Sequence, residues 1–461
     1  MGSEERMIQA NLLTTFHGVG QGLFCSNQFK FSDLKTGKTY QFSFVYDCGT
    51  SSAKKLLEKN INEFWEVQRY ISRSDDFIDL FVLSHFHSDH FNGLKFLLDG
   101  DKRIKVAVIP YLDPIERLLV VLDEWLNLSG VISDDELLEI IGFILKPEDF
   151  FEEKSEILLL LKANDEIKDF EERRIEVERD LDRDFVDEIR YYLKIGWNEK
   201  KKKINVPFSV RRFGLWQLDF FYPRNEDLIS NTRRLKEELR KENVDVNKIE
   251  AVEIDIKKEK TGRNIEDSNV NFVFKTSSFP SDLCSISLGK LKDLLKKAGI
   301  NSKQRNHSSI VCRHFPIDLW KRKNYIKSYK FKMIGKRLCG AAFFHFDRNM
   351  MNIRRDAMAQ VYTGDIPFNL LKKMMNVLTR KKSYCLFQVP HHGSGGEYWN
   401  FQIVNQIRSW YWIVSAGVKN RYGHPSIDVI RDIYNRFGIP IWVNEYISFS
   451  LDTIVEWKIK S

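Results

Sequence analysis

The chain has 461 residues, of which 43% are hydrophobic and 30% charged, with a formal net charge of +8. That length exceeds one typical domain and suits a large core carrying insertions, or two closely associated domains. The composition is that of a soluble globular protein, and no apolar run approaches the roughly 18 residues that span a bilayer, so no membrane partner is expected. The positive balance permits a polyanionic partner without requiring one. The opening MGSEERMIQANLL lacks a basic stretch followed by an apolar one, which argues against secretion by that route. Six cysteines (Cys25, Cys48, Cys284, Cys312, Cys339, Cys385) have no paired spacing, which argues against a disulfide framework and a cysteine zinc site. A reducing cytoplasm is the expected compartment.

Over residues 8–112 the pattern is strand-rich. FSFVYDCG, FIDLFVLSH and IKVAVIPYL read as buried strands, and SSAKKLLEKNINEFWEVQRYI reads as an amphipathic helix between the first two. This α/β rhythm breaks over residues 113–205, where IERLLVVLDEWL, DELLEIIGFIL and the long EEKSEILLLLK…YYLKIGW carry helical periodicity and dense mixed charge. LWQLDFFYP (215–223) restores strand character, and a second charged stretch follows over 224–305 with helix-like NTRRLKEELRKE and LGKLKDLLKKAG. From residue 308 strands and helices alternate again in SSIVCRHF, AMAQVYTGD, SYCLFQVP, SWYWIVSAG and IPIWVN. The runs Lys200–Lys203 and Arg233–Arg234 read as solvated loops and helix faces rather than binding patches.

Chemistry concentrates in HFHSDH (85–90). His85 and His87 lie two apart at the end of an apolar strand, so alternation puts both on one face, where two imidazole nitrogens converge on one cation. Asp89 and His90 follow where the chain turns into a helix with Ser88 as its expected cap, and their side chains address a second ion beside the first. In VYTGDIPF, Asp365 ends an apolar strand and Pro367 opens a helix, so its carboxylate stands at a strand's carboxyl end, where it can bridge two cations. In QVPHHGSGG, His391 and His392 enter a glycine-rich turn in which adjacent side chains diverge, so one of the two is expected to be a direct ligand.

HFHSDH, TGD and PHHGS in this order, preceded by HGVGQGLF and VYDCG and followed by VSAGVKNRYGHPS, resemble the metallo-β-lactamase superfamily, and within it the soluble hydrolase domain of ComEC-type DNA-uptake proteins. The resemblance covers roughly residues 11–112, 211–223 and 306–450. It implies an αββα metallo-β-lactamase sandwich with a large helical insertion. Residues 8–112 would be the N-terminal half, 113–205 the helical insertion, 206–223 a core strand, 224–305 a second charged insertion and 306–461 the C-terminal half. It further implies that His85 and His87 hold one ion, that Asp89, His90 and His391 hold the other, and that Asp365 bridges them, with His392 a catalytic candidate beside them. Asp47 matches an acidic residue that orients the site; on sequence alone a strand-end turn explains it nearly as well.

Many members of the superfamily place a further histidine before the TGD strand, whereas this chain has NHSS at 306–309. His307 could supply that ligand, and His314 and His345 are also available. His424, in RYGHPS, matches the ComEC-type YGHP; it either binds a phosphate oxygen or protonates the leaving alkoxide, or is a turn residue satisfied by backbone.

The expected function is therefore a binuclear hydrolase using two divalent ions, Zn or Mn, that share a hydroxide for in-line attack, with Asp89 central to catalysis. The leading substrate is DNA or RNA, with Tyr398 and Trp399 as base-stacking candidates. The alternatives are hydrolysis of a small ester or cyclic nucleotide, and service as a subunit of an assembly that meets a protein partner through the helical insertion.

Overall fold

The computed structural model describes residues 5–71, 76–164, 182–256, 270–276, 284–300, 308–317, 325–335, 343–344, 358–379 and 383–460. The fold is mixed α/β. The chain begins with strands β1 (Glu5–Phe16), β2 (Phe24–Asp33) and β3 (Thr39–Cys48), helix α1 (Lys54–Ile71) and strand β4 (Phe77–Val82). Two single helical turns, α2 (Ser88–Phe91) and α3 (Leu94–Leu97), lead to β5 (Arg103–Pro110). Helices α4 (Pro114–Leu128), α5 (Asp134–Leu145) and α6 (Pro147–Lys154) come next, then β6 (Ser155–Lys162), α7 (Phe185–Leu193), β7 (Lys201–Asn205), β8 (Phe208–Arg212) and β9 (Trp216–Phe221). Helix α8 (Glu226–Lys241) precedes a small antiparallel sheet of β10 (Ile249–Ile256), β11 (Val270–Thr276) and β12 (Cys284–Ser287), closed by α9 (Leu288–Lys297). The last third holds β13 (Val311–Pro316), β14 (Tyr325–Gly335), β15 (Phe343–Phe344), β16 (Gln360–Tyr362), α10 (Phe368–Lys373), α11 (Met375–Leu378) and β17 (Tyr384–Gln388). It ends with α12 (Gln402–Gln406), β18 (Ser409–Ser415), α13 (Ile427–Asn435), β19 (Ile439–Val443) and β20 (Ile447–Lys460).

The larger sheet runs β15-β14-β20-β1-β2-β3-β4-β5-β6-β7 and the second runs β19-β18-β17-β16-β13-β9-β8. Strands β3 to β7 are parallel, which demands cover on both faces, and the alternation along each strand shows what supplies it. Phe44, Tyr46, Leu80, Val82, Val106 and Val108 share one core with Trp216, Leu218, Phe220 and Tyr362 of the second sheet. The intervening residues Val45, Phe81, Ala107 and Ile109 instead pack with Ile61 and Phe64 of α1 and Leu118 and Leu122 of α4. On the second sheet Val311, Val361, Phe387 and Val414 turn the other way, against Leu370 of α10 and Val429 and Ile433 of α13. Among the described residues no helix is long and apolar enough to cross a membrane.

Three expectations differ from the structure. Within the stretch with helical periodicity, SEILLLLK is strand β6, parallel to β5; a continuous apolar run buried on both faces leaves no period to separate strand from helix. The lysines at 201–203 form edge strand β7, where their charge keeps an open sheet edge from pairing with another chain. The second charged stretch holds the small sheet β10-β11-β12 beside α8 and α9, its alternate Val252, Phe272 and Phe274 joining the core under α4.

Candidate metal centre

The ends of β3, β4, β16, β17 and β18 lie at one edge of the paired sheets, and the residues just beyond them form one buried cluster. Asp47, near the end of β3, is fully buried; its carboxylate accepts the Ser84 N–H and the Ser84 hydroxyl, both at 2.6 Å, and lies 2.8 Å from His90 Nδ1. Burial raises its pKa, against the opposing pull of His90 and Ser84. His85 Nδ1 meets the Ser84 hydroxyl at 2.9 Å, and His85 Nε2 faces His87 Nδ1 at 3.1 Å and Asp365 Oδ2 at 3.8 Å. The helix expected after His87 is split by Asn92 and Gly93 into α2 and α3, and the residue at the cap position of α2 is His87 rather than Ser88, with no side-chain cap bond.

Close approach requires glycine at two positions here. A Cβ on Gly49 would lie 2.5 Å from the Asp89 carbonyl carbon, so the chain leaving β3 passes directly under the Asp89–His90 peptide. At Gly364 φ is +55° and a Cβ would meet Ser84 at 2.8 Å, which lets the β16 turn deliver Asp365 beside the β4 end. The Asp365 N–H is held by Ser309 Oγ at 3.0 Å. Of the seven described non-glycine residues with positive φ, three are Asp47, His391 and His392. Such conformations cost about 1–3 kcal/mol each, and their concentration at one place marks a site that the surrounding structure holds under strain.

Two groups of potential ligand atoms result, each with all atoms within 4.8 Å of one another: His85, His87 and Asp365, and Asp89, His90 and His392. The second group holds His392, rather than the His391 that the family resemblance implies. His392 is 4% exposed, anchors Nδ1 on the Ser415 carbonyl at 2.7 Å, and directs Nε2 to Asp89 Oδ2 at 3.3 Å and Asp365 Oδ2 at 3.5 Å. His391 diverges from it in the turn: its Nε2 lies 3.7 Å from Asp365 Oδ2 and its ring rests against Tyr398, with centroids 3.7 Å apart. Asp365 stands between the groups, with Oδ1 3.4 Å from His90 Nε2.

Three atoms at the centre, His90 Nε2, His392 Nε2 and Asp365 Oδ1, are buried and find no hydrogen-bond partner among the described residues. Buried polar atoms are ordinarily satisfied, and imidazole nitrogens converging with carboxylate oxygens are a metal donor set, so each of the two groups could hold a metal ion. The electrostatics agree. Burial opposes charge throughout, yet the surrounding carboxylates, Asp365 first, raise the His90 pKa well above its ordinary value, and Asp365 and Asp89 raise that of His392. Burial likewise opposes ionisation of Asp365, but the charges of His392 and His90 hold its carboxyl well below the usual range. A pocket of facing imidazoles and carboxylates therefore holds protons where cations would compete for the same lone pairs.

The remaining predicted residues lie around this centre or apart from it. His424 is half-buried, with its ring 5.6 Å from His391 and stacked on Tyr422, and burial lowers its pKa. His307 and His345 lie outside the described residues. His314 is not at the site: it is fully buried between the sheets, accepts from Trp216 Nε1 at 3.1 Å and contacts Tyr362 Oη at 3.0 Å. Trp399 is 8% exposed, donates to Asp432 Oδ2 at 3.1 Å and packs on Trp412, so it is a core residue and no stacking platform. Sequence reasoning missed Asp123 and Glu124 of α4, both buried, with Asp123 Oδ2 3.6 Å from His87 Nε2. The signal was present: an acidic pair interrupts the apolar run VVLDEWL, and buried carboxylates need a reason.

No protein-family model matches the chain, and a search of curated proteins returns no match.

Proposed function

We propose that the chain is a binuclear metal-dependent hydrolase of the metallo-β-lactamase type, a phosphodiesterase acting on DNA or RNA. The observation that carries this reading is the convergence of His85, His87, Asp89, His90, Asp365 and His392 with buried, unsatisfied ligand atoms. Two facing sheets with helices against their outer sides favour the αββα assignment. Zinc or manganese bound by the two groups would supply Lewis acidity and neutralise phosphoryl charge.

The chain's own residues supply orientation and recognition. Asp47 and Ser84 hold His90 and His85 by their Nδ1 atoms, which leaves both Nε2 atoms facing inward. Burial favours neutral His424, so the His424 ring serves better as an N–H donor to a phosphoryl oxygen than as a store of charge. Lys162, the last residue of β6, and Lys203, in the middle of β7, lie 5.8 and 4.1 Å from the ring centroid of Tyr111, which follows β5 in the same sheet, and this favours a polyanionic substrate. A second reading, partnership through residues 113–205, is favoured by Tyr191 and Trp197, which stand 65% and 78% exposed; size-exclusion against candidate partners tests it.

The deciding assay is cleavage of single- and double-stranded DNA and RNA with Mn²⁺ or Zn²⁺, beside a panel of small phosphodiesters. Metal-dependent cleavage of nucleic acid, lost in Asp89→Ala, is expected. Inactivity on every nucleic acid with metal bound overturns the nuclease reading, and turnover of small esters alone moves the substrate to that class.

A further inference from the structure

The imidazoles at the centre share one construction. His85 Nδ1 meets the Ser84 hydroxyl, His90 Nδ1 meets Asp47, and His392 Nδ1 meets the Ser415 carbonyl, which can only accept and so fixes that proton on Nδ1. In each ring the outer nitrogen is tied to the protein and the inner one faces the cluster.

His87 is turned the other way. Its Nδ1 is the inward atom, 3.1 Å from His85 Nε2, and its Nε2 points outward to Asp123 Oδ2 at 3.6 Å. Asp123 reaches it from the middle of α4, within the helix-rich segment 113–205, and Asn127 one turn later donates to the same oxygen at 3.5 Å. An approach of about 0.7 Å brings the Nε2–Asp123 separation to that of a charge-assisted hydrogen bond.

We propose that Asp123 is a positioning residue for the first metal group: it takes the Nε2 proton of His87 in a hydrogen bond and so presents the Nδ1 lone pair to the ion. A carboxylate on the outer nitrogen fixes tautomer and ring orientation and makes the inner nitrogen a stronger ligand. The anchor comes from a helix remote in sequence from the HFHSDH segment, marked only by the acidic pair in its apolar run. Asp113, the N-cap of α4, is bound by Lys236 of α8 at 2.8 Å, so α8 braces the same helix at its start. The inference rests on the metallohydrolase reading of the site.

The test is a zinc titration against a chromophoric chelator, with wild-type protein, Asp123→Asn and Asp123→Ala. Wild-type protein is expected to take up two ions. In Asp123→Ala one ion should weaken about 10–100-fold, the usual effect of losing such a partner, and the other should stay within a few-fold. Histidine-labelled zinc-loaded protein should show a hydrogen-bonded Nε2–H for His87 in the wild type that is lost in Asp123→Ala, a signature that a merely structural role for Asp123 would not produce. If Asp123→Asn and Asp123→Ala are folded and bind both ions as tightly as the wild type, the inference is overturned while the metal centre stands. If the wild type binds no divalent ion, both are overturned.

Discussion

Substituting His391 and His392 separately tests which of two adjacent imidazoles belongs to the centre. His392 sets Nε2 within 3.3 Å of Asp89 Oδ2 and 3.5 Å of Asp365 Oδ2, whereas His391 comes no nearer than 3.7 Å to Asp365 Oδ2 and its side chain is 27% exposed. Structural zinc binding is worth roughly 10–16 kcal/mol over about four ligands, so one ligand accounts for about 3 kcal/mol, or roughly a hundredfold in affinity. His392→Ala should therefore weaken one of two ions about a hundredfold, and His391→Ala by no more than a few-fold. Competition with chelators of graded affinity, followed by elemental analysis, reads both. A large loss in His391→Ala with none in His392→Ala would refute the assignment of the second group and restore the one that the family resemblance implies.

Asp47→Ala strips the acceptor from the Ser84 N–H, the Ser84 hydroxyl and His90 Nδ1 at once, so denaturant unfolding should show a loss of about 3–5 kcal/mol, with weaker binding of the second ion. Burial lowers the pKa of His314 to about 3, so between its ordinary 6.5 and that value the unfolded chain binds a proton that the native chain does not. Stability should fall as pH falls through that window, by at most about 5 kcal/mol from this group, and His314→Gln should make the acid limb of a stability-versus-pH curve shallower. Trp399→Ala should destabilise by roughly 3–5 kcal/mol through cavity formation, with no selective loss of oligonucleotide affinity in a binding assay.

What the sequence made legible was local. HFHSDH follows an apolar strand, and Asp365 and the histidine pair each follow another, so their placement at strand ends could be read from periodicity and turn residues. The choice between His391 and His392 could not, because both adopt left-handed backbone, at φ 45° and 54°, and the Ser415 carbonyl that fixes one ring comes from a strand 23 residues later. Asp123 stayed hidden for a related reason: helical periodicity gives a face, and only the fold says that this face meets His87. Strand β6 was missed because burial on both faces erased its alternation, whereas the alternation of AVEIDI in β10 was legible within the charged stretch.

The central claim is that two cations sit among these side chains. Anomalous scattering from crystals grown with Mn²⁺ or Zn²⁺ tests it most directly. Two peaks about 3.5–4 Å apart are expected, one against His85, His87 and Asp365 and one against Asp89, His90 and His392. No peak at either position, from protein in which these side chains keep the orientations described above, would contradict it.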